Sequence, residues 1–246
     1  MKIKDKVAIV TGASSGIGAS TALLLAKEGM KVTIAARREE KLNELKEKIE
    51  KEGGEVHVAV TDVTDKAAVA KMVKDTKAKF GSVDVLINNA GIMPLSFMKN
   101  LKTDEWEKMV DVNIKGVLYC IGETLPIMRE QKAGHIFNIS SVAGRKVMPG
   151  SAVYSATKFA VRALSEGMRM ELSPSDNIKV TSIEPGAVET ELPSTITDDE
   201  IMEAFKDMLD METLQPEDIA GSILYALTQS DRTNVNEIMI MPTEQK

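Results

Sequence analysis

Along this chain, short runs of apolar, mostly β-branched residues alternate with longer stretches whose apolar positions recur at helical spacing. Such alternation predicts βαβ units and a parallel sheet. The first run is Val7–Val10, followed by a Gly-rich turn and a helix through Thr21–Leu25 that stops at Gly29. Lys31–Ala36 reads as the second strand, with a charged helix from about Glu39 to Glu52 and a Gly53-Gly54 stop. Val56–Val60 precedes a helix over Val69–Phe80, and Val83–Ile87 precedes one long helix from Trp106 to about Arg129. His135–Ile139, a helix reaching Leu172, and Ile178–Ile183 come next. Pro216 is placed to open the following helix, where its missing N–H costs nothing, and Glu237–Met241 reads as a last strand.

Most strand positions are apolar in succession, so both faces of the sheet should be covered. The expected fold is α/β: a doubly wound parallel sheet of about seven strands, with ligand off the carboxyl ends of the strands. A length of 246 residues suits one domain, 1–246. The acidic, Met-rich stretch inside 187–215 is the expected substrate lid. Its Met202, Met208 and Met211 suit either an adaptable apolar wall or the core of a short amphipathic helix.

Composition adds exclusions. The net charge of −6 argues against nucleic acid as a partner, because phosphate binding needs a basic face. Cys120 is the one cysteine, so no intrachain disulfide forms, and it reads as a small buried helix residue. No stretch approaches the ~20 apolar residues of a membrane helix. Met1–Lys6 lacks the apolar core of a secretion signal. A cytoplasmic location is the expectation, and no metal site is expected.

Candidate chemistry begins at Thr11-Gly12-Ala13-Ser14-Ser15-Gly16-Ile17-Gly18, between the first strand and the first helix. Glycines there allow a tight turn, close approach of backbone to a pyrophosphate, and close packing of helix on sheet. A helix N-terminus adds free N–H groups and the positive end of a dipole. The spacing is Gly-x-x-x-Gly-x-Gly, unlike the Gly-x-Gly-x-x-Gly of the common dinucleotide fingerprint. An acid after the second strand would hold the 2′-hydroxyl of NAD. Here Ala36 is followed by Arg37-Arg38, and two guanidinium groups suit a 2′-phosphate. NADP(H) is therefore the expected cofactor.

Five motifs in register carry a family resemblance: Thr11-Gly12-x-x-x-Gly16-x-Gly18, Asn88-Asn89-Ala90-Gly91, Ser141, Tyr154-x-x-x-Lys158 and Pro185-Gly186. In order and spacing the chain resembles the short-chain dehydrogenase/reductase family over essentially its whole length. That resemblance implies a Rossmann-type fold. Ala36-Arg37-Arg38, Ile183-Glu184-Pro185-Gly186 and the ending Ile240–Gln245 are similar to the NADP-dependent reductases of small aldehydes and hydroxy acids. Within the family these resemble the clavulanate-aldehyde reductase type, with serine and 3-hydroxypropionate dehydrogenases as neighbours.

The resemblance implies residue roles. Ser14, Ser15 and Ile17 belong to the phosphate turn, and Asp62 and Val63 should meet the adenine. Asn89, Ala90 and Gly91 should back the adenine ribose. Pro185, Gly186, Val188 and Thr190 should line the nicotinamide end. Asn88 is equally a structural residue, tying the fourth strand to its neighbour. Asn113 matches the family position that holds a water linking Lys158 to solvent; the competing reading is a locally bonded helix Asn. The family's catalytic serine stands thirteen positions before its tyrosine, which selects Ser141 over Ser140. Its hydroxyl would stabilise charge developing on a substrate oxygen. Lys158 should also hold the nicotinamide ribose.

Tyr154 and Lys158, at i and i+4, share one helix face. A phenol with an ordinary pKa of about 10 is a poor acid/base at neutral pH. A nearby ammonium should lower that value and make Tyr154 the acid/base. Neither His57 nor His135 stands in a motif that would serve a serine nucleophile. Arg145 or Lys146 is a candidate receiver of a substrate carboxylate, against the favoured reading of solvated loop charges.

The expected activity is hydride transfer between NADP(H) and a small aldehyde, ketone or hydroxy compound. Two alternatives stand beside it: a 3-oxoacyl carrier-protein reductase, which the acidic lid disfavours, and an NADP(H)-binding sensor without turnover. Family members pair through the regions 112–129 and 152–172, so a homodimer or homotetramer is expected.

Overall fold

The computed structural model describes residues 3–204 and 212–245. Seven strands form one parallel sheet: β1 (Val7–Thr11), β2 (Lys31–Ala36), β3 (Glu55–Val60), β4 (Val85–Asn88), β5 (Gly134–Ile139), β6 (Ile178–Pro185) and β7 (Glu237–Ile240). Their order is β3-β2-β1-β4-β5-β6-β7. The chain therefore winds outward in one direction from β1, returns, and winds outward in the other from β4. The switch between β1 and β4 opens a crevice at their carboxyl ends, where ligands bind in such sheets. This is the doubly wound fold expected from the alternation of runs.

Helices cover both faces because the strands carry Val, Ile, Leu and Ala on both sides. On one face pack α1 (Gly16–Lys27), α2 (Glu39–Lys51) and, far along the chain, the helix Pro216–Thr228. Leu25, Leu42, Ile49 and Ile223 are fully buried there against Val32, Ile34 and Ile183. On the other face pack α3 (Lys66–Phe80), α5 (Gly116–Gln131) and α6 (Ala152–Asp176). Burying each such side chain contributes about 1.5–3 kcal/mol. Cys120 is buried on α5, as expected, and burial pushes its thiol up to about 12, leaving it inert.

The helix ends follow the sequence signals. Asp65 caps α3 by accepting from the N–H groups of Ala67 and Ala68. Gly81, at φ +90°, closes α3 in the left-handed conformation that glycine reaches without strain. Pro216 occupies the first turn of its helix, where Gln215 and Asp218 form a reciprocal cap.

One expectation fails. The long helix from Trp106 to Arg129 is not continuous. It is α4 (Thr103–Val110), a π-helical turn over Asp111–Lys115, and then α5. Asn113, inside that turn, bonds the backbone of Ile92 through both polar atoms of its side chain. Such turns interrupt a helical period without leaving a Gly or Pro to mark them. Between β6 and Pro216 lie a 3₁₀ turn (Leu192–Thr195) and α7 (Asp199–Ala204). Met208 and Met211 fall outside the described residues. Among the described residues no helix is long and apolar enough to cross a membrane.

Candidate active site

The carboxyl end of β1 is fastened to the end of β4. Thr11 Oγ1 donates to Ile87 O (3.1 Å) and accepts from Asn89 N (3.0 Å), while Asn89 Nδ2 donates to the carbonyls of Thr11 (2.9 Å) and Gly12 (3.2 Å). Gly12 sits at φ +65° beneath this staple. A Cβ there would stand 2.8 Å from both Ala90 Cα and Asn89 Nδ2, so the turn closes only on glycine. A Cβ on Gly18 would collide with Gly12 O. Helix α1 starts at Gly16 with no side-chain cap at its N-terminus. That leaves backbone donors facing the crevice, a fit for a pyrophosphate.

Arg38 leans over the same turn. Its guanidinium donates to Ser14 Oγ (2.9 Å), Ser15 Oγ (3.0 Å) and Glu191 Oε2 (2.7 Å). Arg37 and Asp62 stand together beyond this turn, where, against the opposing effect of burial, two bonds from Thr64 and the Arg37 charge hold the Asp62 carboxyl below its usual range. The residues present thus offer a backbone cradle for diphosphate and two cations beyond it.

A cavity of about 540 Å³ runs from this turn into the molecule. It is lined by Gly12, Ser14, Ser15, Gly16, Ile17, Arg37, Arg38, Asp62 and Val63 on one side. Asn89, Ala90, Gly91, Pro185, Gly186, Val188 and Thr190 continue the wall, and Ser141, Tyr154 and Lys158 close its floor. Of the residues singled out in the sequence, Gly18 and Asn113 lie behind the wall.

Tyr154 and Lys158 project from one face of α6 as their spacing requires, and both are buried. Lys158 Nζ lies 5.6 Å from the centroid of the Tyr154 ring and donates to Ile139 O at 2.9 Å. Burial pulls the Lys158 ammonium down to about 8 and pushes the Tyr154 phenol up to about 12, with the hydrogen bond of Ser141 acting against the latter rise. The expectation that the lysine lowers the phenol's pKa is therefore not met. Desolvation of two enclosed groups outweighs their mutual influence. Ser141 Oγ accepts from Ala143 N (3.1 Å) and bonds Pro185 O (3.3 Å), which places it at the mouth between β5 and β6. Ser140 is instead tied to Lys158 O (2.9 Å), a structural role. Asn88 Nδ2 donates to Asn138 Oδ1 (2.8 Å), joining β4 to β5.

Asn113 is 2% exposed. Its Oδ1 accepts from Ile92 N (2.9 Å), and its Nδ2 donates to Ile92 O (3.0 Å) and Thr157 Oγ1 (3.1 Å). A Cβ on Gly91 would stand 3.4 Å from Asn113 Oδ1 and 3.8 Å from Lys158 Nζ, so Gly91 keeps the space between them clear.

Arg145 does not face the cavity. It is paired with Glu184 and Glu237, while Lys146 is exposed and also off the wall. The carboxylate-receiving role considered for these two has no support in the geometry. Glu184, the acid on β6 that pairs with Arg145, stands 39 positions further along the chain, so only the fold reveals the pairing. The substrate end is walled by Ile92, Met93, Leu95, Val142, Ala143, Met148, Ile196 and Met202. Sequence reasoning missed Ile92–Leu95 and Gln245, which reaches the cavity from the chain's end. Gln245 Oε1 accepts from Ala187 N at 2.9 Å and presses on Gly186. No pattern in the last residues signals that contact. Among the described residues there is no cluster of metal-ligating side chains.

Comparisons with known proteins agree with this geometry. The family model described as short chain dehydrogenase matches residues 6–201. An uncharacterised oxidoreductase of Listeria monocytogenes is 48% identical over 246 residues, covering 100% of this chain and 99% of the relative. The closed form of a serine dehydrogenase complexed with NADP+ superposes with a TM-score of 0.90 at 34% identity, covering 98% of this chain and 96% of that one. A metagenomic short-chain oxidoreductase solved with NADP gives 0.84 at 30% identity, with 100% of both chains covered. Crevice, glycine turn and buried Tyr–Lys pair, together with the family match over residues 6–201, make this chain a member of the short-chain dehydrogenase family.

Proposed function

We propose that this oxidoreductase uses NADP(H) to interconvert a small aldehyde or ketone and its alcohol, with Tyr154 as acid/base. The observation that carries the reading is one cavity that joins the glycine turn and Arg37/Arg38 to the buried Ser141, Tyr154 and Lys158. Two family neighbours solved with NADP support the cofactor. Gly12, Ser14, Ser15 and Gly16 would cradle the diphosphate, Arg37 and Arg38 the 2′-phosphate, and Pro185–Thr190 the nicotinamide end. When bound, the cofactor supplies or accepts the hydride, and its oxidised ring adds a positive charge beside the phenol.

The chain's own residues handle the proton. In reduction Tyr154 Oη donates to the carbonyl oxygen, and in oxidation it takes the hydroxyl proton. General acid/base help of this kind is worth roughly 10² to 10⁴ in rate. Ser141 Oγ donates a hydrogen bond to the same oxygen. Lys158 Nζ, enclosed beside Tyr154, passes a proton on through the space that Gly91 leaves beside Asn113. The apolar substrate wall favours an uncharged carbonyl compound over a carboxylic acid, since no cation other than Arg37, Arg38 and Lys158 lines the cavity among the described residues. Residues 187–215 serve as the lid. Leu118, Phe159 and Met170, exposed on α5 and α6, support pairing of subunits through those helices.

The test is oxidation of NADPH and of NADH against a panel of small aldehydes, ketones and acidic carbonyl compounds. Turnover with NADPH on uncharged carbonyls is the expected result. Preference for NADH would overturn the role given to Arg37 and Arg38. NADPH binding without turnover of any carbonyl would favour a sensor.

A further inference from the structure

The cation assigned to the 2′-phosphate already holds an anion. Arg38 NH2 lies 2.7 Å from Glu191 Oε2, and the same nitrogen bonds Ser14 Oγ (2.9 Å) and Ser15 Oγ (3.0 Å). Glu191 is bonded to Ser15 as well, and these contacts hold its carboxyl below the usual range. The carboxylate is thus held by one hydroxyl and a guanidinium, donors of the kind a phosphate monoester would use. Glu191 lines the same cavity but comes from a distant stretch of the chain. It follows Thr190 at the start of the lid, and its backbone carbonyl accepts from Ser194 N (3.0 Å) and Ser194 Oγ (2.6 Å). One side chain therefore bridges the segment after β6 to the second residue after β2, across the mouth of the crevice.

We propose that Glu191 is an internal competitor for the 2′-phosphate seat, a specificity-determining residue that the phosphate must displace from Arg38, freeing the turn Leu192–Thr195 as it does so. This rests on the NADP(H) reading of Arg38. The exchange is balanced in charge: one anion leaves the guanidinium as another arrives. A dinucleotide lacking the 2′-phosphate supplies no such replacement, so it leaves the Arg38–Glu191 bridge in place. The pair is half-exposed, with side chains 47% and 56% accessible, so its weight is modest and measurable rather than prohibitive.

The test is calorimetric titration of the full chain with 2′,5′-ADP and with 5′-AMP, which carry the adenine end with and without the 2′-phosphate. Glu191→Gln keeps the shape and removes the charge. It is expected to tighten 2′,5′-ADP about threefold to fivefold, the scale of a half-exposed ion pair, and to leave 5′-AMP unchanged. In the unaltered protein, 2′,5′-ADP should speed amide exchange at Leu192–Thr195 and 5′-AMP should not. Arg38→Ala separates the two readings. If it weakens 2′,5′-ADP while Glu191→Gln does nothing, the competitor role is overturned and the cofactor reading stands. If Arg38→Ala leaves 2′,5′-ADP binding unchanged, the cofactor reading of Arg38 falls and the competitor role with it.

Discussion

At the scale of single residues, the site is held at a cost that can be measured. Lys158 is buried with its pKa lowered from 10.5 to about 8. The folded state therefore binds this proton less tightly than the unfolded chain does. Its charge costs stability in full below pH 8, and the cost fades as pH rises from 8 to 10.5. Lys158→Met should then raise the stability of the cofactor-free protein at pH 7 by roughly 1–3 kcal/mol, less the bond lost to Ile139 O, while abolishing activity. Denaturant titrations at pH 7 and pH 10.5 check this: the gain should shrink at the higher pH, and a gain of equal size at both would point to packing instead. Gly91→Ala is a second case. Its methyl would enter the space between Asn113 Oδ1 and Lys158 Nζ. A fall in kcat at near-constant KM, with the fold retained, is the expected outcome in steady-state kinetics. Ser141→Ala should cost about 10² to 10³ in kcat if its hydroxyl stabilises the developing charge.

At the scale of elements, an ion cluster joins the loop after β5 to β6, β7 and α6. Glu184 is fully buried on β6 and meets Arg145 and Arg162. Glu237 on β7 meets Arg145, Arg162 and Arg169. Arg145 thereby pins the segment that carries Ala143 and Met148 to the strand that ends at Pro185. Glu184→Gln leaves guanidinium charge without its buried partner and is expected to destabilise the protein by about 3 kcal/mol. Thermal unfolding of the variant checks this, and a change within about 0.5 kcal/mol, typical of surface substitutions, would contradict it. The π-helical turn at Asn113 belongs to the same scale. It carries Asn113, whose side chain bonds the loop after β4 at Ile92.

At the scale of the whole molecule, what could be read from the sequence divides along physical lines. The sheet and its helices were legible because strands buried on both faces leave unbroken apolar runs, as in Val7–Val10 and Ile178–Ile183. Of the cavity wall, the glycine turn, Arg37 with Arg38 and the Tyr154–Lys158 pair were legible from local mechanical reasons, while Asp62, Val63, Asn89–Gly91 and Pro185–Thr190 came only from the family resemblance. The π turn was not, since a single wider turn shifts the apolar period of the flanking helices too little to read. Arg145 was misplaced because its partners, Glu184 and Glu237, are brought to it only by the sheet order. The phenol's shift had the wrong sign because burial is a property of the folded chain, not of an i, i+4 pair. Phe159 and Met170 are exposed on α6, and the proposed pairing through that helix predicts a sedimentation mass that is a multiple of 26.8 kDa, with Phe159→Glu shifting it toward the monomer.

The most direct measurement is the rate of carbonyl reduction by Tyr154→Phe, made beside NADPH binding by the same variant. Removal of one hydroxyl should lower kcat by 10² or more while NADPH affinity stays within a few-fold of the unaltered protein. A variant that binds NADPH and reduces the carbonyl at an undiminished rate would contradict the assignment of Tyr154 as acid/base.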